Sequence, residues 1–147
     1  MSEKSHLLIP LAAMDLLRRE AVEAYPEECC GVLLGRWTAQ PSRTLEVHEV
    51  VVTQNSATDR REERFVIDPR HLLGAQRKAR HQGLEVVGYY HSHPDSGATP
   101  GQVDREAAWP EVCYLILSVS EMWVTEVRCW RLHEAGEAFT EMGIGYS

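Results

Sequence analysis

No apolar stretch in this sequence reaches the length of a membrane span. The residues after the polar opening Met1 to His6 are interrupted by Pro10 and Asp15. Neither a signal sequence nor a transmembrane helix is therefore expected, and the cytosol is the expected compartment. Basic residues are also scarce: 15 Lys and Arg stand against 22 Asp and Glu, a formal net charge of −7. Binding to a phosphate backbone needs a surplus of positive charge on one face, so nucleic acid is not an expected partner. Cysteine is sparse and wrongly spaced for a zinc knuckle. None of the four forms a C-x-x-C pair, Cys29 and Cys30 are adjacent, and buried free thiols are the expectation for a reducing compartment. Neither of these two has a histidine beside it, which argues against a cysteine nucleophile. Internal repeats and low-complexity tracts are absent as well. What remains is a chain of 147 residues, 44% hydrophobic and 25% charged, in the range of one ordinary globular domain spanning 1–147.

Periodicity outlines the elements. Between Pro10 and Ala24 the apolar residues Leu11, Met14, Leu17 and Val22 recur at near-helical spacing, and Tyr25-Pro26 closes that helix. Cys29 to Gly35 is a continuous apolar run, the pattern of a buried strand. Thr44 to Thr53 alternates and is β-branched, a second strand. The mixed-sign cluster Asp59 to Arg64 marks a loop or sheet edge. Asp68 and Pro69 have the form of an N-cap and first helical residue, with Gly83 as the stop. Leu84 to His91 is a strand that Pro94, lacking an N–H, is expected to end. Thr99-Pro100-Gly101-Gln102 suggests a capping box opening a helix that ends near Trp109, before Pro110. Val112 to Val119 and Met122 to Leu132 complete the strands. Because crossover helices do not separate all the strands, an α/β sandwich round a mixed or antiparallel sheet is expected, not a doubly wound one.

The chemistry concentrates at His91-Ser92-His93-Pro94. On an extended chain residues two apart share a face, about 6.5 Å apart, so His91 and His93 can converge on one ion while Ser92 points away. Asp104, in the first turns of the following helix, is the candidate third ligand. Two imidazoles and a carboxylate leave a tetrahedral zinc position open, the pattern of catalytic sites. A proton acceptor is then needed, and Glu28, which abuts the apolar run at Cys29, is preferred to Glu27 because partial burial raises a carboxylate's pKa toward a useful value.

Pro26 to Gly35, Gly88 to Pro94 and Asp104 together resemble the JAMM (MPN-type) zinc metalloprotease family in its short bacterial form. The resemblance implies His91, His93 and Asp104 as zinc ligands and Glu28 as the water-activating acid/base. It also implies a cytidine-deaminase-like α-β-α sandwich round a mixed sheet. The activity implied is hydrolysis of peptide or isopeptide bonds at the C-terminal tail of a ubiquitin-like protein, in bacteria especially a sulfur-carrier protein. One departure stands out: Gly101 occupies the position of the serine that steadies the oxyanion in the family. Loss of one such donor costs on the order of a hundred- to a thousandfold in turnover. The N–H of Gly101, the hydroxyl of Ser96 or Thr99, or a water are the candidate substitutes.

The competing class is a catalytically weak or inactive scaffold of the same fold that binds a protein partner without cutting it. A base deaminase is disfavoured because H-x-E and P-C-x-x-C are both missing. Tyr89 and Tyr90 are expected to pack on opposite faces of their strand, and Trp109, Trp123 and Trp130 to serve as core or rim anchors. The isolated histidines His48, His71, His81 and His133 are expected at the surface. The substrate and a homodimeric state are left open.

Overall fold

The computed structural model describes residues 5–39, 43–102, 104, 112–132 and 138–147. The elements that these residues define in full are, in order, β1 (His6–Ile9), α1 (Leu11–Ala24), β2 (Cys30–Thr38), β3 (Thr44–Thr53), α2 (Pro69–His81), β4 (Glu85–Pro94), β5 (Cys113–Val119), β6 (Val124–Leu132) and β7 (Phe139–Tyr146). The strands lie in the order β1-β3-β2-β4-β5-β6-β7, and β1 also pairs in parallel with β7, so the mixed sheet closes on itself. No described helix is long and apolar enough to cross a membrane.

Alternation along the strands separates two apolar layers. Leu33, Leu45, Val87, Tyr90, Leu115 and Leu117 pack with Met14, Leu17 and Ala21 of α1. Val32 and Leu34, one residue out of phase with Leu33, face Ala75 and Ala79 of α2 together with Tyr89. The two helices thus cover opposite faces of β2 and β4, and Tyr89 and Tyr90 divide between them as the pattern of a strand requires. The buried Tyr90 hydroxyl donates to Glu20 Oε2 at 2.9 Å. Its ring occupies the space a side chain at position 31 would need, since a Cβ there would lie 2.3 Å from Tyr90 Cε1. Asp68 caps α2 by accepting the Arg70 N–H at 2.8 Å. Gly83, at φ +68°, turns the chain out of the helix in a region that favours glycine.

Two boundaries differ from the sequence reading. Strand β4 runs past the expected last residue His91 and ends at Pro94, with His93 opposite Ser118 and Pro94 opposite Val119 of the parallel β5. The missing N–H would point as that of Ser92 does, toward β2, whose own ladder has already ended at the pair Cys30 and His91. The chain leaves the sheet at Asp95, at φ +58°. The helix expected from Pro100 is also displaced. Thr99, Pro100 and Gly101 are non-helical while Gln102 and Asp104 are helical, which makes Gly101 the cap residue. Trp109 and the expected end of this helix lie outside the described residues, as does His133.

Candidate metal centre

Strand geometry delivers the first two donors. His91 and His93, 1% and 9% exposed, point to the same face of β4 with Nε2 atoms 3.1 Å apart. Asp104 completes the group: Oδ1 lies 3.1 Å from His91 Nε2 and Oδ2 lies 3.1 Å from His93 Nε2. The three residues are the one group of His, Cys, Asp or Glu among the described residues with donor atoms close enough to hold one ion. Adjacent corners of a tetrahedron with bonds of about 2 Å are about 3.3 Å apart, close to these separations.

The hydrogen bonds around the group also fit a cation. His93 Nδ1 lies 2.8 Å from the Gly97 carbonyl, which can only accept, so Nδ1 carries a proton, and Nε2 is the atom whose lone pair the ring presents when it serves as a ligand. That lone pair faces a carboxylate oxygen and a second imidazole nitrogen, an arrangement that a shared positive charge relieves. Burial works against an ionised Asp104, but the histidine rings and the Gly101 N–H hold its carboxyl well below the usual carboxylate range. Burial pushes the His91 imidazole below its ordinary value. For His93 burial acts in the same sense, but Asp104 and the Gly97 carbonyl outweigh it and hold the ring above.

Glu28 arrives from the neighbouring strand. Cys30 pairs with His91 in the antiparallel β2–β4 ladder. The ladder is extended by Ser92 N–H donating to the Cys29 carbonyl at 3.1 Å and by Cys29 N–H donating to Ser92 Oγ at 2.8 Å. The same register carried two residues past Cys30 sets Glu28 beside His93. Its side chain is 5% exposed, and Oε1 is buried without a hydrogen-bond partner among the described residues. Burial pushes the Glu28 carboxyl up to about 8, with the charge of His93 acting the other way. Glu27, by contrast, is solvent-facing and paired with Arg61 at 3.2 Å. Burial likewise pushes the Cys29 thiol up to about 12 and the Cys30 thiol to about 11, leaving both un-ionised and unsuited to attack.

Gly101 donates its N–H to Asp104 Oδ2 at 2.7 Å, so this candidate oxyanion donor is already engaged. Ser96 and Thr99 are exposed, and neither hydroxyl is hydrogen-bonded to the three central residues. The loop carrying them is held elsewhere: Trp130 Nε1 donates to the Ala98 carbonyl at 2.9 Å and the Tyr25 hydroxyl donates to Asp95 Oδ2 at 2.6 Å. Sequence reading missed Phe65, whose ring stacks on His91 with centroids 4.6 Å apart, and Asn55, whose buried amide bonds the Glu28 carbonyl at 3.1 Å. Neither has a motif around it. The one signal was an apolar and an amide residue in a loop otherwise rich in charge.

Residues 10–133 match the family described as prokaryotic homologs of the JAB domain. The chain belongs to this family. It is 38% identical over 94 residues to a protein named Desampylase from Haloferax volcanii, an alignment covering 63% of each chain. It is 30% identical over 111 residues to the Probable TtuB-protein conjugate cleaving protease of Thermus thermophilus, covering 75% of this chain and 68% of that one. Among solved structures, protein DSY2949 from Desulfitobacterium hafniense superposes with a TM-score of 0.79 at 27% identity, over 96% of this chain and 92% of the other.

Proposed function

We propose that this chain is a single JAMM-type domain, a cytidine-deaminase-like sandwich in its finer classification, acting in the cytosol as a zinc-dependent metallopeptidase or isopeptidase. Its substrate is a peptide bond or adduct at the C-terminal tail of a ubiquitin-like or sulfur-carrier protein. The observation that carries the proposal is the convergence of His91, His93 and Asp104 together with a buried Glu28 whose Oε1 has no hydrogen-bond partner among the described residues. Membership of the JAB family and similarity to a protein-conjugate cleaving protease support it.

His91, His93 and Asp104 would hold the zinc. The ion would supply Lewis acidity, polarising a carbonyl and acidifying water at neutral pH. The rest of the work falls to the chain's own side chains. Glu28, held up to about 8 by burial, shifts downward beside positive charge, as the influence of His93 already indicates. That brings it into the range where it takes a proton from the attacking water and returns it to the departing amine. His93 is kept in one tautomer by Gly97, and His91 is sealed from solvent by the Phe65 ring.

Mass spectrometry of candidate carrier proteins bearing short C-terminal extensions tests this. Trimming by the zinc-loaded protein and none by Glu28→Gln is expected; equal trimming by both overturns it. The alternative of a non-cutting scaffold has one observation in its favour, the absence of a hydroxyl at Gly101 together with the engagement of its N–H by Asp104. Zinc bound without any trimming would support that reading.

A further inference from the structure

The buried side chain of Asn55, just past β3, uses its full hydrogen-bonding capacity. Its amide nitrogen donates to the Glu28 carbonyl at 3.1 Å and to the Arg64 carbonyl at 3.0 Å. Its oxygen accepts from the Ala57 N–H and the Val66 N–H, both at 3.1 Å. An asparagine has two donors and two acceptor sites, so no capacity is left over. The loop is pinned by a further bond from Ser56 N–H to the Val66 carbonyl at 2.8 Å, and it reaches back to Glu28, whose N–H donates to the Arg61 carbonyl at 2.8 Å. Both backbone polar groups of Glu28 are therefore held by one loop. The same loop sends Phe65 against the His91 ring.

The carboxyl of Glu28 makes no hydrogen bond of its own through Oε1. With that oxygen unanchored, the grip on the backbone carries more of the positioning, and Glu28 stands outside β2, where no ladder fixes it on that side. On the other side, among the described residues, the Cys29–Ser92 bonds tie the segment to β4. We infer that Asn55 is a positioning residue: by closing the 54–66 loop on the Glu28 backbone it holds the Glu28 carboxyl at the metal centre. This rests on the hydrolytic reading of the site. It adds that the loop after β3 sets the reach of the proton carrier, whereas it meets the ligands through the Phe65 ring on His91 and makes no bond to their donor atoms among the described residues.

Asn55→Asp separates the parts, because aspartate keeps both accepted bonds and loses both donated ones. Expected for the zinc-loaded variant are one zinc per chain as in the parent, an unchanged KM and a kcat lower by about a hundredfold, the scale of a misplaced catalytic group. The limb of the pH–rate profile that disappears in Glu28→Gln should also move. A kcat within twofold of the parent, or loss of zinc in parallel with activity, overturns the inference. A second measurement needs neither folding of the variant nor activity. In the metal-free parent protein, the Asn55 side-chain amide protons should exchange with solvent as slowly as β-ladder amides and show a through-hydrogen-bond coupling to the Glu28 carbonyl carbon. Fast exchange without coupling overturns the clamp. Protected protons in a protein that trims no carrier leave the clamp standing and remove the hydrolytic reading instead.

Discussion

Gly101 N–H and Asp104 Oδ2 stand 2.7 Å apart, the half of a capping box in which the third helical residue reaches back to the cap. The other half, a cap hydroxyl, is missing because the cap is glycine. Among the described residues a Cβ at position 101 would meet only Asp104 Oδ2, at 3.6 Å, an ordinary contact, so Gly101→Ser fits against them without displacement. We expect zinc affinity to be unchanged and turnover on a cleavable carrier to rise by at least about tenfold, part of the hundred- to thousandfold that one oxyanion donor is worth. Steady-state kinetics with unchanged or reduced kcat would contradict this account of the position.

Ionising Glu28 in the folded, metal-free protein is unfavourable, since burial lifts its pKa from 4.5 to about 8. The folded state therefore holds the proton more tightly than the unfolded chain. The stability linked to this group is fully present below about pH 4.5 and is lost as pH rises through about 8, in total several kcal/mol at most. Glu28→Gln removes the linkage. Metal-free melting curves should find the variant more stable than the parent at pH 8 and similar to it near pH 4.5; a pH-independent difference would contradict it.

Zinc should stabilise the parent and not Asp104→Asn, whose neutral amide replaces a carboxylate lying 3.1 Å from both histidine nitrogens. At a free metal concentration one hundred times Kd the gain is about 2.7 kcal/mol. For a chain of this size that corresponds to roughly 5–10 °C in Tm. Thermal scans with and without zinc and a chelator read this directly, and an equal shift in both proteins would argue against Asp104 as a ligand.

Ser92 is fully buried and its hydroxyl accepts the Cys29 N–H at 2.8 Å. Ser92→Ala leaves that N–H without a partner between two strands, at a cost of about 1–3 kcal/mol. Urea unfolding should show a lower midpoint at an unchanged slope. An unmoved midpoint would mean that another group takes over the bond.

The elements with strong periodicity or end signals were legible from the sequence. Thr44 to Thr53 was bounded as it folds, and α2 starts at its Asp68-Pro69 signal. Strands β1 and β7 were not seen. His6–Ile9 is too short to show alternation, and Phe139–Tyr146 mixes two glycines with polar residues. β1 is a strand because β3 and β7 supply partner edges, and β7 because β1 and β6 do. At the site, His91 and His93 were legible because a strand's two-residue period fixes their common face. The three-residue interval from Gly101 to Asp104 was noted, but as a serine position left vacant and not as a cap. Asn55 was invisible for a different reason: its role lies in bonds to backbone carbonyls and amides, which any residue at positions 28, 57, 64 and 66 would offer.

The donor set straddles a topological junction. The two histidines sit on β4, and the carboxylate lies eleven residues past His93, in the stretch that must cross over before β5 can lie parallel to β4. Before that crossover forms, the chain offers an incoming cation only a histidine pair. Tight capture would then report that the parallel pairing is complete, so the ion would act as an assay, internal to the protein, of whether that crossover has been made.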